Sequence, residues 1–280
     1  MVVTAPAKAA PPAGRPPGLS GPVPVGRLRP QTIAAVLTLI ALLAFSVYSL
    51  LEVGISIPNM VASWGNAVNF FNRVGTITFP PPGELLSLTA LTLGIVISGT
   101  VLAAVLSIPF AYLAAANTTP GPAWRAVGRF VGVLSRAVPD VVIAMILVLM
   151  FSLGSLPGII ALGICGIGLL GKLIADSFEE VAPGPERALT AVGATRPQVY
   201  AAATLPQGAR ALVGHTFYTL DTNIRAATML GIVGGGGIGY YLIQADQGGN
   251  YDQVTAIVLM ILAVVLVVEG IAMWMRRVFS

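Results

Sequence analysis

The sequence predicts an all-α membrane protein of six transmembrane helices with both termini in the cytoplasm. Three observations carry that expectation. Of 280 residues, 56% are hydrophobic and only 9% charged, against about 25% charged in an ordinary soluble domain. The apolar residues fall in runs near the ~20 residues that a helix needs to cross a bilayer. Thirteen of the fifteen basic residues lie at the ends of the chain or in alternate connections between those runs, as in loops retained in the cytoplasm.

Residues 1–30 are rich in Pro, Ala and Gly. They cannot bury enough apolar surface to fold and read as a disordered cytoplasmic tail. The apolar run that follows is longer than a secretory h-region and has no convincing cleavage site after it, so it reads as a retained first helix. The six expected spans are 31–51, 85–116 (bent or ended near Pro109), 138–153, 158–177, 209–231 and 253–275. Residues 31–280 form one transmembrane domain.

Lys8, Arg15, Arg27 and Arg29 precede the first span, and Arg125, Arg129 and Arg136 separate the second from the third. Lys172, Arg187, Arg196 and Arg210 lie in or beside the connection between the fourth and fifth, and Arg276 and Arg277 follow the last. The exceptions are Arg73 and Arg225. Arg73 belongs to the external segment 52–84, where Trp64, Phe70 and Phe71 suggest an amphipathic piece lying at the outer interface.

Two glycine patterns imitate nucleotide sites. Gly234, Gly236 and Gly239 match the dinucleotide spacing, but position 259, where an acidic residue is needed, is Leu. "GICGIGLLGKL" resembles a phosphate-binding loop, but Leu173 follows Lys172 where a hydroxyl must hold magnesium. Lys172 reads instead as reaching the cytoplasmic interface. Cys165 has no Cys or His neighbour, which excludes an intramolecular disulfide and a zinc site. His215 reads as a structural residue near a helix start. No nucleophile–base or metal cluster supports a membrane enzyme, and no nucleic-acid partner is expected.

The longest internal cytoplasmic connection runs over 176–210. Pro183 and Pro185 end the fourth span. "ERALTAV" is then a short helix with Glu186 in its first turn, stopped by Gly193. Pro197 favours a second short helix leading to Pro206. A solvated connector needs no such pair of helices, whereas a partner's groove does.

The order Ala188, Leu189, Gly193, Leu205, Pro206 resembles the EAA motif of permease subunits of binding-protein-dependent ABC importers, with the spacing kept from Gly193 to Pro206. Arg187 stands where that motif has Glu, Leu189 replaces its second Ala, Ala203 replaces its Ile, and Glu186 lies one position early. "ALTAVGATRPQVYAAATLPQ", then "LDTNIRAATMLGIVGGGGIG", with "RAVPDVV" at 136–142, is similar to the phosphonate-type permeases; methionine-type permeases share much of the glycine pattern. The resemblance implies a permease bundle like that of the methionine importers, multi-pass in the bacterial inner membrane, without a nucleotide site of its own. Two cytoplasmic ATPases would bind ATP and magnesium, a second permease chain, identical or not, would complete the path, and an external binding protein would deliver a phosphonate or phosphate-like anion. Segment 179–206, with Glu186, Arg187, Ala188, Leu189, Gly193, Ala194, Leu205 and Pro206, would couple to the ATPases. A methionine or other amino-acid permease is the nearest alternative. An ion-coupled secondary transporter is more distant, since no internal repeat is evident.

Asp221, Asn223 and Arg225 fall inside the fifth span. Each charge there costs about 2.5–3.5 kcal/mol on insertion scales, so they face the bundle or an aqueous path. Asp221 and Arg225 are four apart and share a helix face; they form a compensating pair, or Arg225 lines the path. Gly234, Gly235, Gly236 and Gly237 would break the helix beside the path as a hinge or gate, or allow close packing between chains.

Overall fold

The computed structural model of the protein describes residues 30–54, 57–75 and 77–279. The expected disordered tail, apart from Pro30, lies outside the described residues. Two compact units divide the chain, one up to Asn66 and one from Ala67 onward.

The first unit holds α1 (Pro30–Glu52) and the start of α2 (Ile57–Val74). The 23 residues of α1, at about 1.5 Å each, are long enough to cross a bilayer. None of its side chains is buried within its own unit. α2 carries Trp64, Phe70 and Phe71 exposed, matching the amphipathic piece expected in the external segment.

The second unit continues with α3 (Pro82–Ala114), α4 (Pro122–Ala137), α5 (Asp140–Phe151) and α6 (Ser155–Glu179). After these come α7 (Pro183–Ala191), α8 (Arg196–Val199), a π-helical turn Tyr200–Thr204, and α9 (Leu205–Leu230). A second π-helical turn, Gly231–Gly235, precedes α10 (Gly237–Gln247) and α11 (Tyr251–Phe279). Every regular element among the described residues is helical. Four helices, α1, α3, α6 and α11, are individually long and apolar enough to cross a membrane, and two bent pairs bring the number to six.

The bent pairs are where the structure corrects the sequence. The third span is not one helix over 138–153. α4 and α5 meet at 85°, because Pro139 removes a backbone donor and holds Val138 extended, at φ −93° and ψ 127°. The 12 residues of α5 reach only about 18 Å, so α5 alone cannot span. Pro109 neither ends α3 nor divides it: the helix continues to Ala114. The second short helix expected in the connection is not separate either. From Arg196 the backbone runs through the π-helical turn into α9, with Pro206 at the second position of α9, where its missing N–H leaves the π-helical turn before it one hydrogen bond short.

The core forms where α3 and α6 lie side by side. Gly163 and Gly166 of α6 allow it: a Cβ on them would fall 2.5 Å from Leu102 and 2.5 Å from Ala103. Small residues at such contacts let membrane helices approach closely. Ile95, Val96, Leu162, Ile224 and Leu230 fill the centre. Toward the connection 180–204, Leu170, Ile174 and Phe178 form a second cluster, against which Tyr200, Leu205 and Leu212 pack.

Candidate functional site

Two groups of residues predicted from the sequence occupy opposite ends of α9, whose 26 residues span about 39 Å.

At the N-terminal end, α7 starts at Pro183, three residues before the expected start at Glu186. It stops at Gly193, which takes φ +85°, a left-handed conformation that glycine adopts without a Cβ penalty. The Gly193 N–H donates to the Thr190 carbonyl at 3.0 Å and that of Ala194 to the Leu189 carbonyl at 3.1 Å, satisfying the last carbonyls of the helix. Thr195 then opens α8, its N–H donating to Gln198 Oε1 at 2.8 Å. α7 has no buried residue. Arg187, Ala188, Gly193 and Pro206 are exposed, while Leu189, Ala194 and Leu205 are half-buried. Val192 is an apolar side chain 81% exposed at the tip of this turn. Val192 is not among the residues expected at this turn; its place directly before the stop glycine is the signal for it.

Glu186 points into the protein. Its Oε1 accepts from Asn117 Nδ2 at 3.0 Å and from Thr204 Oγ1 at 2.6 Å. Asn117 also donates to the Phe178 carbonyl at 2.8 Å, and Arg196 donates to the Thr119 carbonyl. Glu179 accepts from the Ala116 N–H at 2.7 Å and pairs with Arg125 at 3.0 Å and Arg129 at 3.6 Å. The turn between α3 and α4 is thereby tied to the end of α6, to the first turn of α7 and to α8. Beneath it, Tyr200 packs edge-on against Tyr112, with ring centroids 4.8 Å apart, and against Phe178 at 5.5 Å. Force applied at the tip of α7 would thus reach α3, α4 and α9 together.

At the other end, α9 passes through the π-helical turn Gly231–Gly235 into α10 with a 54° bend. Gly234, Gly236 and Gly237 take φ of +101°, +81° and +73°. The Gly234 carbonyl accepts from the Gly154 N–H at 3.0 Å, in the turn between α5 and α6. The Ile238 N–H donates to Thr92 Oγ1 of α3 at 2.8 Å. A Cβ on Gly236 would fall 3.2 Å from Ser155 N, and one on Gly235 2.8 Å from the Leu230 carbonyl oxygen. The helix break expected at Gly234–Gly237 is present, and these glycines pack closely on α3, on the turn between α5 and α6 and on α9.

Between the two ends, Arg225 donates to both carboxylate oxygens of Asp221, at 3.2 and 3.3 Å. The Asp221 side chain is 9% exposed and that of Arg225 50%, so the pair is compensated while the guanidinium keeps an open side. Asn223 donates to Thr100 Oγ1 of α3 at 2.9 Å. His215 is not near a helix start. It sits in the interior of α9, 2.9 Å from Ser177 Oγ, and holds α9 to α6.

The profile of the family described as "Binding-protein-dependent transport system inner membrane component" matches residues 107–280. The chain is 39% identical over 211 residues to the phosphate-import permease protein PhnE of Mycolicibacterium smegmatis, covering 75% of this chain and 40% of that one. It is 38% identical over 189 residues to the phosphite transport system permease protein PtxC of Stutzerimonas stutzeri, covering 68% of this chain and 69% of that one. Among solved structures, an inward-facing MetNI methionine ABC transporter matches with a TM-score of 0.60 at 19% identity, over 72% of this chain and 100% of that one. That match shows the fold.

Proposed function

Because the chain belongs to the family of binding-protein-dependent transport system inner membrane components, we propose that it is the permease subunit of an ATP-driven importer of phosphonate or phosphate-like oxyanions. The relatives named for phosphate and phosphite import support the substrate class. The methionine transporter likeness bears on the fold and leaves that class unchanged. Two cytoplasmic ATPases, a second permease chain and an external binding protein complete the machine. Both termini and segment 179–206 face the cytoplasm, following the basic residues.

The observation that carries this reading is the exposed helix–turn of α7, Gly193 and α8 on a braced base. An unburied helix ending in an apolar tip is the form in which a helix enters a partner's groove. Val192 at that tip is the residue such a groove would enclose. The braces from Glu186, Glu179 and Arg196 then pass the ATPase's motion to α9, which ends at the glycine break. Asp221, Asn223 and Arg225 lie on the same helix between the two, where reorientation would change their access to the path.

Val192→Asp tests the contact. Exposed positions of this kind change stability by about 0.5 kcal/mol or less, so the chain should remain monodisperse in detergent. Co-purification of the co-expressed ATPase should fall at least tenfold and ATP-driven uptake should be lost. Unchanged retention with unchanged uptake would remove this turn as the ATPase seat.

A further inference from the structure

Beside the coupling segment, α3, α4 and α6 line an open cavity of about 610 Å³, within the ~300–1,000 Å³ of small-molecule sites. Phe110, Val133 and Ile167 give it apolar walls, and Arg136 of α4 and Lys172 of α6 give it positive charge. Neither cation is in an ion pair among the described residues. The lining also includes Glu179 and Asp176. Glu179 is already held by Arg125 at 3.0 Å and Arg129 at 3.6 Å. Asp176 sets one negative charge against the two free cations. The arrangement depends on Gly168, where a Cβ would fall 2.5 Å from Arg136 Cγ, so the glycine lets the arginine stem lie on α6. α4 exposes Trp124, Phe130 and Leu134, the pattern of a helix lying in a membrane interface.

We propose that this cavity binds a phosphate group held by Arg136 and Lys172. Basic pockets between transmembrane helices receive phosphorylated headgroups, and an apolar body attached to the phosphate would lie along Phe110, Val133 and Ile167. A phospholipid headgroup and free phosphate share the recognised chemistry. The site does not depend on which substrate is carried, and it is measured without the ATPase, so its failure is separate from failure of the transport reading.

The test uses the full chain purified in detergent, alone and with the variants Arg136→Gln, Lys172→Gln, the charge-keeping Lys172→Arg, and the off-site control Arg276→Gln. Native mass spectrometry in mixed micelles of phosphatidylglycerol and phosphatidylethanolamine reads lipid retention; equilibrium dialysis with radiolabelled inorganic phosphate in lipid-free detergent reads free-anion binding. Monodisperse elution of each variant confirms folding. Retained lipid that drops at least tenfold in both glutamine variants, and survives Lys172→Arg and Arg276→Gln, assigns the site to a headgroup. The same pattern in phosphate binding alone assigns it to free phosphate. No binding of either probe to the unaltered chain, or binding that the glutamine variants leave intact, overturns the proposal.

Discussion

Replacing Gly237 by valine is expected to prevent the chain from folding. Gly237 takes φ +73° and its Cβ would fall 2.7 Å from Thr92 Oγ1. Three costs meet there. A left-handed backbone costs an L-residue about 1–2 kcal/mol. Overpacking adds about 1–3 kcal/mol. Thr92 Oγ1 accepts the Ile238 N–H, and pushing it aside strands a buried donor at about 1–3 kcal/mol. Together these approach the ~5–15 kcal/mol net stability of a typical fold. Gly249 is the control: it takes φ +72° with nothing within 4 Å of its Cβ. Gly249→Ala should therefore cost only the backbone term and give a monodisperse chain. Size-exclusion chromatography after detergent extraction compares the two. A monodisperse Gly237→Val chain would mean that the break is looser than its packing indicates.

The second large effect lies at Asp221 and Arg225. Removing the partner of a buried charge costs about 3–5 kcal/mol, because that charge is left uncompensated; the cost is smaller where the remaining charge is exposed. The two single substitutions should differ. Arg225→Ala strands a carboxylate whose side chain is 9% exposed, whereas Asp221→Ala strands a guanidinium that is 50% exposed. Arg225→Ala should thus be the more destabilising. The double alanine variant should lose less stability than the two singles summed, with a coupling of about 0.5–3 kcal/mol. Denaturant unfolding in detergent measures this cycle, and additive losses would mean the pair contributes no mutual stabilisation. Uptake then separates pairing from transport. If Arg225 lines the path, uptake stays lost in the double variant even though its stability recovers. If Arg225→Lys and Arg225→Ala both leave uptake and assembly unchanged, Arg225 has no part in the path.

The spans were legible because lipid demands long apolar runs and the basic residues mark the ends. The Gly193 stop and the Gly234–Gly237 break were legible because glycine has a direct backbone consequence. The right angle between α4 and α5 was not. Residues 122–137 read as a basic loop, although Val127, Phe130 and Leu134 share a helix face with a stripe of exposed apolar surface. The extended backbone that Pro139 imposes on Val138 was the local cause. The brace at Glu186 was invisible for a different reason. Asn117 lies 69 residues away, and no local pattern records a hydrogen bond at that separation. The Asp221–Arg225 pair was legible as a shared helix face; which of the two is buried depends on how α9 packs.

The measurement closest to the central claim is ATP hydrolysis by this chain reconstituted in liposomes with its candidate ATPase and external binding protein. The binding protein is loaded in turn with a phosphonate, phosphate or methionine. Hydrolysis stimulated by a phosphorus oxyanion, and abolished by Val192→Asp, is the predicted result. Stimulation by methionine alone would contradict the substrate class. No complex with the ATPase, together with uptake that follows an ion gradient, would contradict the ATP-driven importer itself.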